Sequence, residues 1–158
     1  MWTCAACTQV NADARPTCES CGESTRRSDA PSAALAAYSS IDDIPLVQIE
    51  LREGVEPFKY VQIVVSTSAG KRTLIRGHSR FQFHDDIFQY ERAALVDVPG
   101  VTSVNCPGGG RIAVDASLKQ IRVYGHSIGY GRAAHAITAE ALTASLPGYK
   151  VTWDNEGY

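Results

Sequence analysis

The sequence predicts a mixed α/β (α+β) domain, in which one mixed β-sheet of about six or seven strands carries two helices on its faces, behind a small zinc-stabilised N-terminal finger. Three observations lead to this prediction. Four of the five cysteines lie within the first 21 residues. After residue 43, seven short segments have the alternating or β-branched composition of strands. Two longer segments among them have helical periodicity, and such helices bury their apolar sides on a sheet.

The length and composition are those of a soluble globular protein. The chain has 158 residues, of which 44% are hydrophobic and 20% charged, and its net charge of −2 gives no general attraction to nucleic acid. No run approaches the roughly 18 apolar residues of a membrane helix, and the N-terminus lacks the apolar core of a secretory signal. We therefore expect no membrane partner and a cytoplasmic location, with the nucleus left open as a second one.

The cysteines predict a structural zinc site. They form two Cys-x-x-Cys pairs, Cys4 with Cys7 and Cys18 with Cys21. Two such pairs can bring four thiolates to the corners of a tetrahedron, about 2.3 Å from one zinc ion. Two disulfides are the alternative, which a chain without a secretory signal does not favour. Because residues 1–24 are too few to bury a core, zinc would supply their folding free energy.

Two more residues extend this pattern. Trp2 lies two positions before the first cysteine, and Asn11 lies between the pairs. With the cysteines they resemble the zinc fingers of the Ran-binding-protein type, whose members bind single-stranded RNA or ubiquitin. Ubiquitin binders carry Thr-Phe after the second cysteine, where this chain has Thr-Gln. RNA binders carry an aromatic residue after the asparagine, where this chain has Ala12. RNA, ubiquitin and a different protein all stay open as partners, and so does a purely local role of the finger.

The segment between the finger and the sheet is predicted to be a flexible linker. Residues 25–43 are rich in Ser and Ala and contain few large apolar side chains. The second domain then covers residues 44–158.

This domain opens with three predicted strands, which alternate apolar and polar residues or are rich in β-branched and aromatic ones. They are residues 46–51, 58–67 and 72–77. A helix should begin close to His84, because apolar and aromatic side chains recur at helical spacing from Phe83 onward. Pro99 and Gly100 end that pattern.

Further strands and a second helix complete the predicted order. The strands are residues 101–106, 109–114, 119–125 and 149–153, separated by glycine, by polar turns or by the helix. The helix covers about residues 132–146, before Pro147 and Gly148.

The first chemical signal is the glycine-rich stretch "HSIGYG", residues 126–131, just before the second helix. Glycine-rich backbone lets successive N–H groups point at one anion, and a helix N-terminus adds the positive end of its dipole. The stretch lacks the Gly-Lys-Ser/Thr ending of a nucleotide P-loop. It predicts either an anion-binding loop or a plain turn from strand to helix.

The second signal is His84 in "FHDDI", at the predicted start of the first helix. The positive end of the dipole favours a neutral imidazole, which can act as a base or a nucleophile. Asp85 and Asp86 are predicted to be favourable first-turn charges. Cys106 has one residue too few before Arg111 for the phosphate loop of cysteine-dependent phosphatases, so we expect a buried or turn cysteine.

Seven motifs of the second domain are similar, in order and spacing, to those of the Janus family, the 14-kDa phosphohistidine phosphatases. They are "FKYV", "IRG", "FHDDI", "GGGRI", "VYGHSIGYG", "HAI" and "YKVTWDNEGY". The resemblance covers residues 44–158. It implies removal of phosphate from a histidine side chain of a protein substrate, without a catalytic metal. The finger is an addition that typical members lack.

The resemblance also implies the site residues. His84 matches the catalytic histidine, and Lys59 matches the substrate-binding lysine. The remaining matches are the phosphate-holding loop and positions around the same site: Ser127, Ile128 and Gly129, then Arg76, Arg111 and His135. Whether His84 attacks phosphorus or activates water stays open. The alternative function is an inactive Janus-like scaffold, whose zinc finger binds RNA or a protein such as ubiquitin.

Overall fold

A computed structural model of the chain describes residues 2–3, 10–11 and 38–157. The chain divides into two units, Met1–Ala34 and Leu35–Tyr158. The four predicted zinc ligands lie outside the described residues, as does most of the predicted linker.

Two short strands are described in the first unit. Strand β1 is Trp2–Thr3 and strand β2 is Val10–Asn11, and they pair antiparallel. The register places Trp2 opposite Asn11 and Thr3 opposite Val10. In the sequence, the first cysteine pair lies between these two strands.

The second unit contains one mixed sheet of six strands and two helices, which confirms the predicted fold class for this part of the chain. The strands are β3 (Val47–Gln48), β4 (Phe58–Thr67), β5 (Gly70–His78), β6 (Val101–Asp115), β7 (Gln120–Tyr124) and β8 (Lys150–Trp153). Their order is β3-β5-β4-β6-β7-β8, with parallel pairs at both edges and antiparallel pairs between.

The helices α1 (His84–Leu95) and α2 (His135–Ser145) cover opposite faces of the sheet. Alternation along β4 turns Val61 and Ile63 toward the core that contains α1, and Phe58 and Tyr60 toward the core that contains α2. These four side chains are at most 3% exposed. Within the described residues, neither helix is long and apolar enough to cross a membrane.

The main difference from the predicted elements concerns β6. The two strands predicted on either side of Pro107 are one strand of 15 residues. The register between β4 and β6 shifts at this point, so that Cys106 and Pro107 lie together opposite Ile63. Such a bulge accommodates a proline inside a strand, and for this reason the proline does not end β6.

The glycines after Pro107 have a packing role rather than a turn role. A Cβ atom at Gly108 would lie 2.7 Å from the backbone nitrogen of Ala133. The chain before α2 passes this close because Ala133 donates its N–H to the carbonyl of Gly109 over 3.0 Å. A side chain at Gly108 would therefore separate β6 from the segment that leads into α2.

Two boundaries also differ. Helix α2 begins at His135 rather than at 132, since Gly131 has a left-handed φ of 86° and the next residues bond to β6. Residues 41–43, predicted as the end of the linker, form a short 3₁₀ helix. The Arg72 guanidinium donates to the carbonyl of Ile41, which ties this segment to β5.

Candidate active site

A surface pocket of about 420 Å³ lies where the start of α1 meets the loop before α2. It is lined by Lys59, Gln82, Phe83, His84, Asp85, Ser127, Ile128, Gly129 and Tyr130. Five of these residues were predicted from the sequence, and the fold brings them together from β4, from α1 and from the segment between β7 and α2. We call residues 127–131 of that segment the glycine loop.

His84 is the first residue of α1, and it is 6% exposed. Its Nε2 atom lies 2.9 Å from the carbonyl oxygen of Gly110. Because a carbonyl oxygen only accepts hydrogen bonds, the geometry assigns the proton of the neutral ring to Nε2. The lone pair is then on Nδ1, which is the atom available as a base or a nucleophile.

The surroundings of His84 favour its neutral form. Burial lowers the pKa of His84, the hydrogen bond to Gly110 opposes this effect, and the positive charges of Lys59 and Arg111 lower the pKa further. An ordinary histidine has a pKa of about 6.5. His84 therefore remains neutral at a lower pH than an ordinary histidine does.

Lys59 and Arg111 are cross-strand neighbours on β4 and β6. Alternation places both on the face of the sheet that carries α1 and His84. Lys59 lines the pocket, and Arg111 adjoins it on the neighbouring strand. The two cations give this corner of the sheet a positive potential, which suits a doubly charged phosphate.

The glycine loop is closed by its own hydrogen bonds. Ser127 and Gly131 exchange two backbone bonds of 3.1 and 2.8 Å, and Tyr130 donates its N–H to Oγ of Ser127 over 3.1 Å. The amides of Ile128 and Gly129 take part in none of these bonds. Two successive N–H groups are therefore available at the pocket for an anion.

The structure does not bring Arg76 to the pocket. Arg76 lies on β5, is 0% exposed, and forms an ion pair in which its Nε is 3.1 Å from Oε2 of Glu91. Its remaining donors bond to the backbone carbonyls of Pro45, Leu46 and Ile75. Because its donors are engaged in the interior, the place of Arg76 is structural, and it joins α1 to the sheet.

Glu91 is a buried residue that sequence reasoning missed. It is 4% exposed, and its second oxygen lies 2.7 Å from Nε2 of His78. A signal for it was present, since Glu91 follows His84 by seven residues and so shares its helix face. A carboxylate on a buried helix face predicts a buried cation opposite, which here is Arg76.

His135 also lies away from the pocket. It is 1% exposed, and its Nε2 donates to the carbonyl of Gly125 over 2.7 Å. Its Nδ1 accepts from the Tyr60 hydroxyl over 2.6 Å, and that hydroxyl accepts from Thr138 over 3.1 Å. Burial lowers the pKa of His135. Both ring nitrogens are thus engaged in an interior network on the α2 face.

The two histidines are separated by one strand. A Cβ atom on Gly109 would lie 2.7 Å from Cδ2 of His84, whereas one on Gly110 would lie 2.6 Å from Cε1 of His135. Adjacent residues of a strand face opposite sides of the sheet. His135 therefore supports β6 and, through its bond to Gly125, the segment that leads into the glycine loop, from the side opposite to the pocket.

Cys106, for which a buried or turn position was predicted, is half-buried on β6 and donates to the carbonyl of Gly108 over 3.5 Å. Burial raises the pKa of its thiol to about 11. At neutral pH it is therefore a thiol and not a nucleophilic thiolate. In the part of the chain that the structure describes, no three His, Cys, Asp or Glu side chains are grouped to hold a metal ion.

Known proteins resemble the unit that carries this pocket. A sequence model of the Janus/Ocnus family matches residues 41–150. The chain is 39% identical over 131 residues to the 14 kDa phosphohistidine phosphatase of Sus scrofa, which covers 78% of this chain and 100% of that protein. It is 38% identical over 129 residues to the 14 kDa phosphohistidine phosphatase of Homo sapiens, and that alignment covers 77% of this chain and 99% of the human protein. It is 39% identical over 116 residues to the sex-regulated protein janus-A of Drosophila simulans, and that alignment covers 73% of this chain and 82% of the Drosophila protein.

Proposed function

The chain belongs to the Janus/Ocnus family, and from this premise we propose that it is an enzyme, a phosphohistidine phosphatase that hydrolyses the P–N bond of phosphohistidine in a protein substrate. One observation carries the proposal. A neutral His84, the ammonium group of Lys59 and two available amides of the glycine loop meet at one pocket. The names of the pig and human relatives support the same activity.

The pocket supplies what phosphoryl transfer requires, which is chiefly alignment and charge stabilisation. The amides of Ile128 and Gly129 would bind the phosphate oxygens, and Lys59 would offset their charge. Arg111 would contribute from the neighbouring strand. We assign no catalytic metal to this reaction.

His84 would act through Nδ1 in one of two ways. As a general base, Nδ1 takes a proton from water while the water oxygen bonds to phosphorus and the P–N bond breaks. As a nucleophile, Nδ1 itself bonds to phosphorus while the P–N bond breaks, and water then hydrolyses the phosphoenzyme. In both routes the electron pair of the broken bond goes to the substrate imidazole, which takes up a proton. Both routes need the neutral form of His84.

The test compares wild type and His84→Ala on a phosphohistidine peptide without added metal. We expect the variant to lose nearly all turnover, and His126→Ala, a matched exposed histidine next to the loop, to keep the wild-type rate. Equal rates for wild type and His84→Ala would contradict the role of His84. A wild-type protein without turnover would favour the scaffold alternative. A phosphorylated His84 trapped in a single turnover would identify the nucleophilic route.

We propose in addition that residues 1–24 form a zinc-binding finger that recognises a partner. The ligands would be Cys4, Cys7, Cys18 and Cys21. The spacing of the cysteines supports this, and so does the pairing of β1 with β2, which places Trp2 opposite Asn11. Metal analysis of the purified protein tests the zinc, for which we expect one equivalent. Titrations with G-rich RNA and with ubiquitin test the partner, and micromolar binding of either one would identify it.

A further inference from the structure

The glycine loop is fixed at its base but has little packing at its tip. At the base, Gly109 donates its N–H to the carbonyl of Gly131 over 3.1 Å. At the tip, Ile128 is 85% exposed, and a Cβ atom on Gly129 would meet nothing within 4 Å. The two amides assigned to phosphate therefore lie in the least packed part of the loop.

Tyr130 joins the tip of the loop to α1. Its ring packs edge-to-face on Phe88, with 5.6 Å between the ring centroids. Its hydroxyl donates to Oδ1 of Asp85, and Nε2 of Gln89 donates to the same oxygen over 3.2 Å. Burial, and then the Asp85 carboxylate, raise the pKa of Tyr130, so that the hydroxyl keeps the proton it donates. We call Asp85, Gln89 and Tyr130 the loop latch.

We propose that Asp85 is a positioning residue that holds the glycine loop, through Tyr130, at a fixed distance from His84. The inference rests on the proposed function, because it assigns the loop to phosphate. Asp85 directly follows His84 on α1. The bond from Tyr130 to Asp85 therefore ties the glycine loop to the residue next to the reacting histidine. Alignment of this kind contributes to the rate when it fixes the reacting atoms to within about an ångström.

A comparison with Asp86, the next residue on α1, shows how the role of Asp85 differs from that of a favourable first-turn charge. Asp85 and Asp86 both lie in the first turn, where either carboxylate is favourable to the helix dipole. Of the two, it is Asp85 that lines the pocket and accepts the Tyr130 hydroxyl. Asp86→Ala is therefore a matched control for the loss of a first-turn charge.

The size of the effect follows from the strength of one partly solvated hydrogen bond. Such a bond shifts an equilibrium between two loop conformations by about fivefold. The apparent affinity for phosphate falls by up to the same factor, since only the latched loop presents both amides. Asp85→Asn keeps an acceptor oxygen at the same place, so this variant should recover most of the lost affinity.

Inorganic phosphate is the probe, titrated into the full-length protein while the amide signals of Ile128 and Gly129 are followed by NMR. The kcat and KM for a small phosphoramidate are measured on the same samples. We expect Tyr130→Phe to weaken phosphate binding by up to about fivefold and to raise KM. Asp85→Ala should weaken it by less, because this variant also removes a negative charge from the pocket. The double variant should lose no more phosphate affinity than either single variant, because both substitutions remove the same hydrogen bond. Asp86→Ala should bind phosphate as the wild type does.

Additive losses in the double variant, or an equal loss in Asp86→Ala, would overturn the latch. Tyr130→Phe keeps the ring on Phe88, and a thermal unfolding curve checks that each variant is folded. Phosphate affinity is measured without turnover, which separates the two proposals. If the phosphate affinities of the wild type and its variants differ as expected but the wild type hydrolyses no substrate, only the proposed phosphatase activity is contradicted. If the wild type hydrolyses the substrate but all latch variants bind phosphate as tightly as the wild type does, only the proposed role of the latch is contradicted.

Discussion

At Gly109 a single added methyl group can test the role proposed for His84. A Cβ atom on this residue would lie 2.7 Å from Cδ2 and 3.3 Å from Nε2 of the imidazole. Ordinary contacts begin at 3.4 Å, so the ring must move by at least about 0.7 Å to accommodate the methyl group. We therefore expect Gly109→Ala to displace His84 and to weaken its 2.9 Å hydrogen bond to Gly110.

Two magnitudes follow from this displacement. Overpacking of a well-packed interior costs about 1–3 kcal/mol of stability. A reacting group displaced by about an ångström loses on the order of 100-fold in rate. The same Cβ atom would lie 2.7 Å from the carbonyl oxygen of Tyr60, so part of the strain falls on β4 and stability is lost together with activity.

Gly77→Ala is the control, because it overpacks the same sheet without touching the pocket. A Cβ atom there would lie 2.6 Å from Cε2 of Phe58, on the α2 face of β5. Urea unfolding and kcat/KM on a phosphohistidine peptide are measured for both variants. We expect similar losses of stability, with a loss of about 100-fold in kcat/KM confined to Gly109→Ala. A folded Gly109→Ala protein that keeps kcat/KM within about threefold of wild type would refute the reasoning.

Three further predictions concern charge, stability and zinc. Lys59→Met removes a positive charge that lowers the pKa of His84, so the acid limb of the residual kcat/KM profile should move to higher pH; an unmoved limb would contradict this. Glu91→Ala leaves Arg76 buried without its carboxylate, and urea unfolding should show a loss of about 3–5 kcal/mol, against the negligible loss expected if the pair were solvated. Zinc removal by a chelator should unfold the finger, as followed by circular dichroism, and leave hydrolysis of a small phosphoramidate within about twofold, whereas a larger loss would show that the units are coupled.

Local patterns determined how far the fold could be predicted. The bounds of β4 and the start of α1 at His84 were correct, because alternation and helical spacing are read within one segment. The continuity of β6 through Pro107 could not be read in this way. It depends on a bulge against β4 and on the close approach of the chain before α2, which are contacts between segments far apart in sequence.

For the site, too, local patterns were predictive, whereas contacts between segments far apart in sequence were not. Lys59, His84 and the glycine loop line one pocket, and their roles in binding and catalysis stay predictions. Alternation along β5 could place Arg76 on the α1 face, but its partner there is Glu91, which is 15 residues away along the chain. The latch was missed for a similar reason, since Asp85 has a sufficient local explanation as a first-turn charge. Its bond to Tyr130 spans 45 residues and becomes visible only in the fold.

The position of β6 explains how His135 can matter to the pocket without facing it. The carbonyl of Gly110 accepts the Nε2 proton of His84, while the Cα of the same residue packs against the His135 ring on the other face. His135 is held in turn by Tyr60 and by the carbonyl of Gly125. A shift of this interior network would move the Gly110 carbonyl, and with it the hydrogen bond that fixes the tautomer of His84. The influence of His135 on catalysis would then pass through one peptide group of β6 rather than through contact with phosphate.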